Sequence, residues 1–295
     1  MAGKVLITGG RGFLGQHLCR AFVQREWEVH ATTRAVQEGD GQSPVEYHEG
    51  DMVDAAFAGR VLHRVQPDIV FHLAGSVGAG TALDLVLPTF HSHVTSAVNL
   101  MTHAATAGGP RIVLSGSLLE ACKEVPASPY AAAKTVSTMY GRMFYLLYDA
   151  PVVVARPFMT FGPGQRFEKV LPYCIRCFAA DDSPVLSSGE WKADWIFVSD
   201  VIDGFVRAGT APGVEGCVFD FGRGELLSLR SIVGRIARLM GARVEPRFGA
   251  RSDRPGEPER VADLELARKG LGWSPKVSLD DGLMQTIAAY TRGNG

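Results

Sequence analysis

Long apolar runs are absent from this sequence. No stretch approaches the roughly 18 consecutive apolar residues that a membrane-crossing helix needs. The apolar start Val5-Leu6-Ile7 runs almost at once into Gly9 and Gly10, which does not read as an export signal. An excess of either charge is missing too: 30 Lys plus Arg against 31 Asp plus Glu give a net charge of -1, without the positive field that draws proteins onto nucleic acid. Neither a membrane nor a nucleic acid is an expected partner. Cysteine is scarce. Cys19, Cys122, Cys174, Cys177 and Cys217 are an odd number spread over 295 residues, which suits reduced thiols in a cytoplasm better than a disulfide framework. Cys174 and Cys177 form a C-x-x-C, but without a second pair or a nearby His they offer too few zinc ligands and read as core residues on one helix face. Internal repeats and low-complexity tracts are lacking as well.

What is present is ordinary globular material, 46% apolar and 21% charged, enough for one large unit or two modest ones. Short β-type runs at Lys4 to Thr8, Trp27 to Thr32, Val45 to Glu49, Ile69 to Leu73, Arg111 to Ser115 and Pro151 to Ala155 alternate with helical stretches. The helical stretches are Phe13 to Gln24, around Ala55 to Val65, Thr89 to Ala107 and Tyr130 to Tyr148. That rhythm predicts βαβ units, hence a doubly wound parallel sheet of the Rossmann type covered on both faces. After about Gln165 the rhythm loosens around Pro172, Pro184, Gly189, Pro212, Gly213, Gly222 and Gly224. The expected division is therefore a dinucleotide-binding domain over 1–165 and a smaller C-terminal α/β lobe over 166–295, with a last helix from Leu279 to Thr291.

The segment Thr8-Gly9-Gly10-Arg11-Gly12-Phe13-Leu14-Gly15 follows the first strand directly and opens the first helix, the context that a dinucleotide fingerprint requires. Glycines let the backbone approach a pyrophosphate, and the free amides and positive end of the helix stabilise it. At the end of the second strand, where binders of the unphosphorylated cofactor place an acid for the ribose hydroxyls, stand Thr32-Thr33-Arg34. Arg34, with Arg11 from the loop, can pair with a ribose 2′-phosphate. NADP(H) is thus the expected cofactor, with NAD(H) as the alternative. Asp51-Met52, past the third strand, are candidates for adenine.

Ser128-Pro129-Tyr130-Ala131-Ala132-Ala133-Lys134 begins a helix, which puts Tyr130 and Lys134 one turn apart on one face. A phenol near pKa ~10 needs roughly 4 kcal/mol of preferential phenolate stabilisation to exchange protons readily at neutral pH, and the neighbouring ammonium, helped by a cationic oxidised nicotinamide, can supply much of it. Ser117 follows the strand Arg111 to Ser115 at the carboxyl edge, where doubly wound sheets bind ligands.

With these motifs in order, the chain resembles the extended short-chain dehydrogenase/reductase family of nucleotide-sugar epimerases, dehydratases and 4-ketoreductases. The resemblance also rests on His72-Leu73-Ala74-Gly75, on Arg156-Pro157-Phe158 followed by Gly162-Pro163-Gly164-Gln165, on Asp194-Trp195-Ile196-Phe197-Val198-Ser199-Asp200-Val201, and on Leu271-Gly272-Trp273-Ser274-Pro275. It implies a Ser117, Tyr130, Lys134 catalytic set. It further implies Leu73, Ala74, Gly75, Pro157 and Phe158 beside the cofactor, Ser76, Ser117, Met159 and Arg254 toward a nucleotide-sugar substrate, and a homodimer through a four-helix bundle, although the same apolar helix faces serve equally to cover the sheet. The departures narrow the chemistry. Leu118 and Leu119 stand where the dehydratases carry Asp and Glu, so dehydration is disfavoured. Gly116-Ser117-Leu118-Leu119-Glu120 is similar to the Gly-Ser-x-x-Glu-Tyr-Gly of sugar 4-ketoreductases, with Ala121-Cys122 in place of Tyr-Gly. Met159, Ala193 and His93 replace residues that the family often has as Asn, Arg and Asn. His91 and His93 point apart on their helix and read as structural, so no metal site is expected.

The expected activity is NADP(H)-dependent reduction of a nucleotide-linked 4-keto-6-deoxyhexose. The alternatives are a nucleotide-sugar epimerase using the same three residues, and a dinucleotide sensor without turnover, against which the intact Ser-Tyr-Lys set argues.

Overall fold

The computed structural model describes residues 3–37, 40–76, 78, 80–105, 109–120, 125–253 and 258–291. The strands are β1 (Lys4–Thr8), β2 (Glu28–Thr33), β3 (Val45–Glu49), β4 (Ile69–His72), β5 (Arg111–Ser115), β6 (Val152–Pro157), β7 (Met159–Phe161), β8 (Lys192–Ala193), β9 (Trp195–Phe197), β10 (Val218–Phe221) and β11 (Leu227–Ser228). The helices are α1 (Phe13–Val23), α2 (Ala55–Val65), α3 (Val86–Phe90), α4 (Ser96–Ala104), α5 (Pro129–Tyr148), α6 (Val170–Ala179), α7 (Val198–Thr210), α8 (Leu229–Met240), α9 (Glu265–Leu271) and α10 (Leu279–Thr291).

Seven strands form one sheet in the order β10-β6-β5-β4-β1-β2-β3, every pair parallel. The doubly wound sheet read from the alternation is therefore present. Val5, Leu6 and Ile7 of β1 are all fully buried, because the central strand is covered on both faces. One face carries α1 and α7, and the other carries α2, α4 and α5. Strand order reverses between β1 and β4, and the crevice beyond their carboxyl ends is where such sheets take ligands.

The boundary expected at residue 165 falls after the chain has left the sheet at the end of β6, Pro157, and before the sheet is finished. The chain returns with α7, packed against β5 and β6, and with β10, which pairs with β6. Proline and glycine punctuation hides that return, because β10 is only four residues long. The smaller lobe is built on two short strand pairs, β7 with β9 and β8 with β11, and on α6, α8 and α10.

Two motifs in this half act as pegs. Buried Asp194 accepts the backbone amides of Arg223, Gly224 and Ala262 at 2.6, 2.8 and 3.1 Å. Asp200 accepts those of Lys276 and Val277, while the Trp273 indole donates to the Asp200 carbonyl oxygen. Cys174 and Cys177 lie buried on α6 as free thiols, as their spacing suggests. Among the described residues no helix is long and apolar enough to cross a membrane.

Two local differences from the sequence reading bear on the site. α5 starts at Pro129, whose fixed φ suits the first helical position, and Ser128 caps it by accepting the Ala131 amide. The helix expected over Thr89 to Ala107 is α3 and α4 joined by a π-helical turn at His91–Thr95, an irregularity that helices often reserve for functional surroundings.

Candidate active site

The turn from β1 to α1 is a ledge of backbone donors. Gly9 has φ +70, and a side chain there would meet the Ala74 backbone at 3.0 Å. At Gly15 an added Cβ would lie 2.3 Å from the Gly9 carbonyl oxygen, so both positions need glycine. Gly12 is the N-cap of α1 and no side chain caps it, which leaves the first amides of the helix, at Phe13 and Leu14, to face an anion. This glycine-lined ledge under a helix terminus fits a dinucleotide pyrophosphate.

The facing edge, at the end of β4, is locked to the ledge by one residue. The Thr8 hydroxyl oxygen accepts the amides of Leu73 and Ala74 at 3.1 and 3.0 Å and lies 2.9 Å from His72 Nδ1. The Ser96 hydroxyl donates to the Ser92 carbonyl oxygen, so His72 Nε2 donates to Ser96 Oγ at 3.1 Å and Thr8 donates to Nδ1. This assigns a neutral His72, and burial accordingly pushes its pKa down to about 3. Gly75, which follows on this edge, has φ +153, and a Cβ there would enter the His93 ring at 2.2 Å.

Tyr130 and Lys134 stand on the first turns of α5, and Ser117 in the turn after β5. The Tyr130 phenol is hydrogen-bonded to the Ser117 hydroxyl, which lowers its pKa, but burial is the larger influence and raises it to about 12. Lys134 Nζ lies 5.9 Å from the Tyr130 ring centroid and donates to the Ser115 carbonyl oxygen at 2.8 Å. Burial pushes the Lys134 pKa down to about 8. Lys134 is not among the groups that set the Tyr130 pKa here, which are burial, the Ser117 hydroxyl and Glu120. In this setting the phenol holds its proton firmly.

His93 is more involved than the sequence reading allowed. Its ring meets Tyr130 edge-on, centroids 5.2 Å apart, and Nε2 donates to the Ser76 carbonyl oxygen at 2.7 Å. Burial holds its pKa down at about 3. The π-helical turn points it inward, while His91 stays exposed.

Behind Ser117 runs a buried chain of charges that the sequence reading did not connect. The Ser117 amide donates to Glu120 Oε1 at 2.7 Å. Arg156 donates from Nε and one terminal nitrogen to Glu120 Oε2 at 3.1 and 2.9 Å, and from the other to Asp220 Oδ1 at 2.7 Å. Asp220 in turn receives Arg260 and the Asp263 amide at 3.5 and 3.2 Å. The motif Gly-Ser-x-x-Glu was visible, but its Arg partner required the β5–β6 pairing.

The adenosine end differs from expectation. Arg34 is exposed and Thr33 half-buried at the end of β2. Arg11, however, forms an ion pair with Asp40, donates to Gln37 at 2.8 Å and lies over the Tyr47 ring at 4.3 Å. The Arg11 guanidinium holds the Asp40 carboxyl below its usual range. The region is thus not free of acid: the β2–β3 loop brings Asp40 to Arg11. Asp51 accepts the Val53 amide at 2.9 Å and remains exposed. The Met52 side chain is buried with Leu6 and Phe57. Asn99, missed in the sequence, holds this loop by donating to the Met52 and Val53 carbonyl oxygens at 3.1 and 2.8 Å.

On the substrate side, Phe158 is buried in the core beneath the Arg260 guanidinium, and half-buried Met159 donates its amide to the Asp194 carbonyl oxygen. Pro157 ends β6 at the same edge. Ser76 is exposed beside Ser92, their hydroxyls 3.0 Å apart. Arg254 lies outside the described residues.

Residues 5–220 match the model of the NAD dependent epimerase/dehydratase family. The chain is similar to a UDP-glucose 4-epimerase of Mycolicibacterium smegmatis, 29% identical, covering 97% of this chain and 98% of that one. It is also similar to a dTDP-glucose 4,6-dehydratase of Xanthomonas campestris, 27% identical over 97% and 92% of the two chains. The fold superposes on a UDP-glucose 4-epimerase of Thermotoga maritima, solved with UDP-glucose, with a TM-score of 0.89 over 98% and 99% of the chains at 22% identity.

Proposed function

This chain belongs to the NAD dependent epimerase/dehydratase family, and from that premise we propose that it reduces a nucleotide-linked 4-keto-6-deoxyhexose, with NADP(H) as cofactor and Ser117, Tyr130 and Lys134 as catalytic residues. The observation that carries this reading is the hydrogen-bonded Ser117–Tyr130 pair, one helical turn from a buried lysine and at the carboxyl edge of the sheet.

When bound, a nicotinamide dinucleotide would supply hydride to a carbonyl carbon. The chain's own residues do the rest. Gly9, Gly12, Gly15 and the amides of Phe13 and Leu14 hold the pyrophosphate, Thr33 and Arg34 the ribose and its phosphate, and Leu73, Ala74, Gly75, Pro157 and Phe158 border the remainder. Asp51 is assigned to the adenine edge, and Arg11 to the 2′-phosphate only when it exchanges Asp40 for it. Tyr130 gives its proton to the substrate oxygen, for which a firmly protonated phenol is the right starting state. Ser117 orients that oxygen by hydrogen bonding, and Lys134 stabilises the phenolate left behind. Ser76, Met159 and Arg254 are assigned to the nucleotide sugar, beside the smaller lobe.

Leu118 is buried and Leu119 is half-buried, and the nearest acid in the chain, Glu120, is bound to Arg156. Among the described residues, neither Leu118 nor Leu119 offers the acid and base that expulsion of water needs at these positions, which argues against a dehydratase. An epimerase is the second reading, favoured by the relative from Mycolicibacterium smegmatis and by the same three catalytic residues. The two are separated by counting cofactor. Nucleotide-free protein is incubated with 4-keto-6-deoxy nucleotide sugars and NADPH, and cofactor consumed is compared with product formed. One NADPH per product supports the reductase. Product far in excess of cofactor turned over supports the epimerase.

A further inference from the structure

Outside the candidate active site, two adjacent strands at the sheet edge bring together two imidazoles and a carboxylate. In the β2–β3 register His30 stands opposite Glu46, and His48 opposite Thr32. All three ligand-bearing side chains therefore project to the same face as Leu6, which pairs with His30 and packs in the core beneath α2. His30 Nδ1 and His48 Nε2 are 3.1 Å apart, His30 Nδ1 and Glu46 Oε2 3.5 Å, and His48 Nε2 and Glu46 Oε1 3.8 Å.

We propose that His30, His48 and Glu46 form a binding site for one divalent ion of the zinc class. Tetrahedral coordination with bonds of about 2.0 to 2.2 Å requires ligand atoms about 3.3 Å apart, close to the 3.1 and 3.5 Å that separate His30 Nδ1 from His48 Nε2 and from Glu46 Oε2, and the ligand atoms of the three residues lie within 4.8 Å of one another. Two nitrogens with one oxygen also suit zinc, whereas magnesium and calcium seek all-oxygen sets. The fourth position is left to solvent.

The surroundings support this assignment. His30 Nε2 donates to Glu28 Oε1 at 2.9 Å, and the tautomer that carries its proton on Nε2 turns the Nδ1 lone pair toward His48. A metal-bound histidine almost always has such a carboxylate on its other nitrogen, fixing the tautomer and raising ligand basicity. Without the ion, His48 Nε2–H donates to that lone pair; with the ion, His48 takes the Nδ1–H tautomer and both lone pairs face the metal. The charged neighbours on the packed elements are Lys4, 3.2 Å from Glu28, and Arg64 of α2, 3.0 Å from Glu46 Oε1. Arg64 occupies Oε1, so Oε2, the oxygen nearer His30, is the one free to coordinate. Glu28, His30 and Glu46 also line a cleft of about 370 Å³, which gives an ion an approach from solvent.

Local spacing hides this set, because its histidines are 18 residues apart and meet only through the strand register. An ion here would cross-link the edge strand β3 to β2, which carries Thr33 and Arg34 at its end.

The test is titration of the untagged protein with zinc chloride by calorimetry, with magnesium chloride as the comparison and cobalt(II) as the spectroscopic probe. One zinc per chain, no response to magnesium, and intense visible tetrahedral cobalt bands are expected. His48→Ala should abolish these, Glu46→Gln should weaken zinc affinity, and Glu28→Gln should weaken it by about 10- to 100-fold. Glu46 and Glu28 are exposed, so those two variants keep the test valid if His48→Ala fails to fold. Absence of one-to-one zinc binding, or binding unchanged in Glu46→Gln and Glu28→Gln, overturns the proposal.

Discussion

The backbone amide of Ser117 is held by the side chain of Glu120 at 2.7 Å, and the same carboxylate carries Arg156 on its other oxygen. Glu120 and Asp220 are each only 5% exposed, so Arg156 sits between two buried acids and links the turn bearing Ser117 to β10. Removing one partner of a buried pair leaves a charge without compensation, at a cost of roughly 3 to 5 kcal/mol.

Glu120→Ala is therefore expected to lower unfolding free energy by about that amount, with turnover falling as Ser117 loses its anchor. Glu120→Gln retains an acceptor for the Ser117 amide and should recover more turnover than stability. Urea unfolding and steady-state rates on both variants check this. Equal losses of turnover in the two variants would separate Ser117 placement from the Glu120 acceptor.

At the adenosine end, Arg34→Ala should weaken NADPH by roughly 1.5 to 3 kcal/mol, the worth of a charge-assisted contact, and leave NADH nearly unchanged. Asp40→Asn should move preference further toward NADPH, since it releases Arg11 from its ion pair. Dissociation constants for both cofactors across wild type and the two variants measure it. Equal wild-type affinities would contradict the NADP reading.

The buried neutral rings of His72 and His93 make stability depend on pH. Their folded pKa values of about 3 lie below the unfolded value of 6.5. Their stabilising contribution is thus full above 6.5 and is lost as pH falls from there toward 3. At about pH 5 each should have lost roughly 2 kcal/mol. His93→Asn lacks one of these terms, so its deficit relative to wild type should narrow between neutral pH and about pH 5. Denaturant unfolding of both proteins at the two pH values measures it, and a constant difference would show that His93 does not titrate as a buried neutral ring.

The parts of the fold and site that lie within one βαβ stretch were legible in the sequence. The glycine turn, the Tyr130–Lys134 spacing and the alternation of strands all follow from local periodicity. Contacts made across long separations were not. Asp40 reaches Arg11 through a loop whose path no pattern specifies, and Glu120, Arg156 and Asp220 converge only once β5, β6 and β10 are aligned. Met52 reads as a cofactor neighbour by position, and the burial of its side chain beside Phe57 shows only in the structure. His93 looked structural in a regular helix, and the π-helical turn is what brings it against Tyr130.

The central claim is that Tyr130 gives the proton that accompanies reduction of a keto sugar. It is tested most directly by following NADPH absorbance on mixing with a 4-keto-6-deoxy nucleotide sugar, in wild type and in Tyr130→Phe matched for folding and cofactor binding. The account predicts NADPH oxidation by wild type and a rate two to four orders of magnitude lower in the variant, the usual worth of a positioned general acid. A variant retaining more than about a tenth of the rate would contradict it, because a general acid contributes more than that.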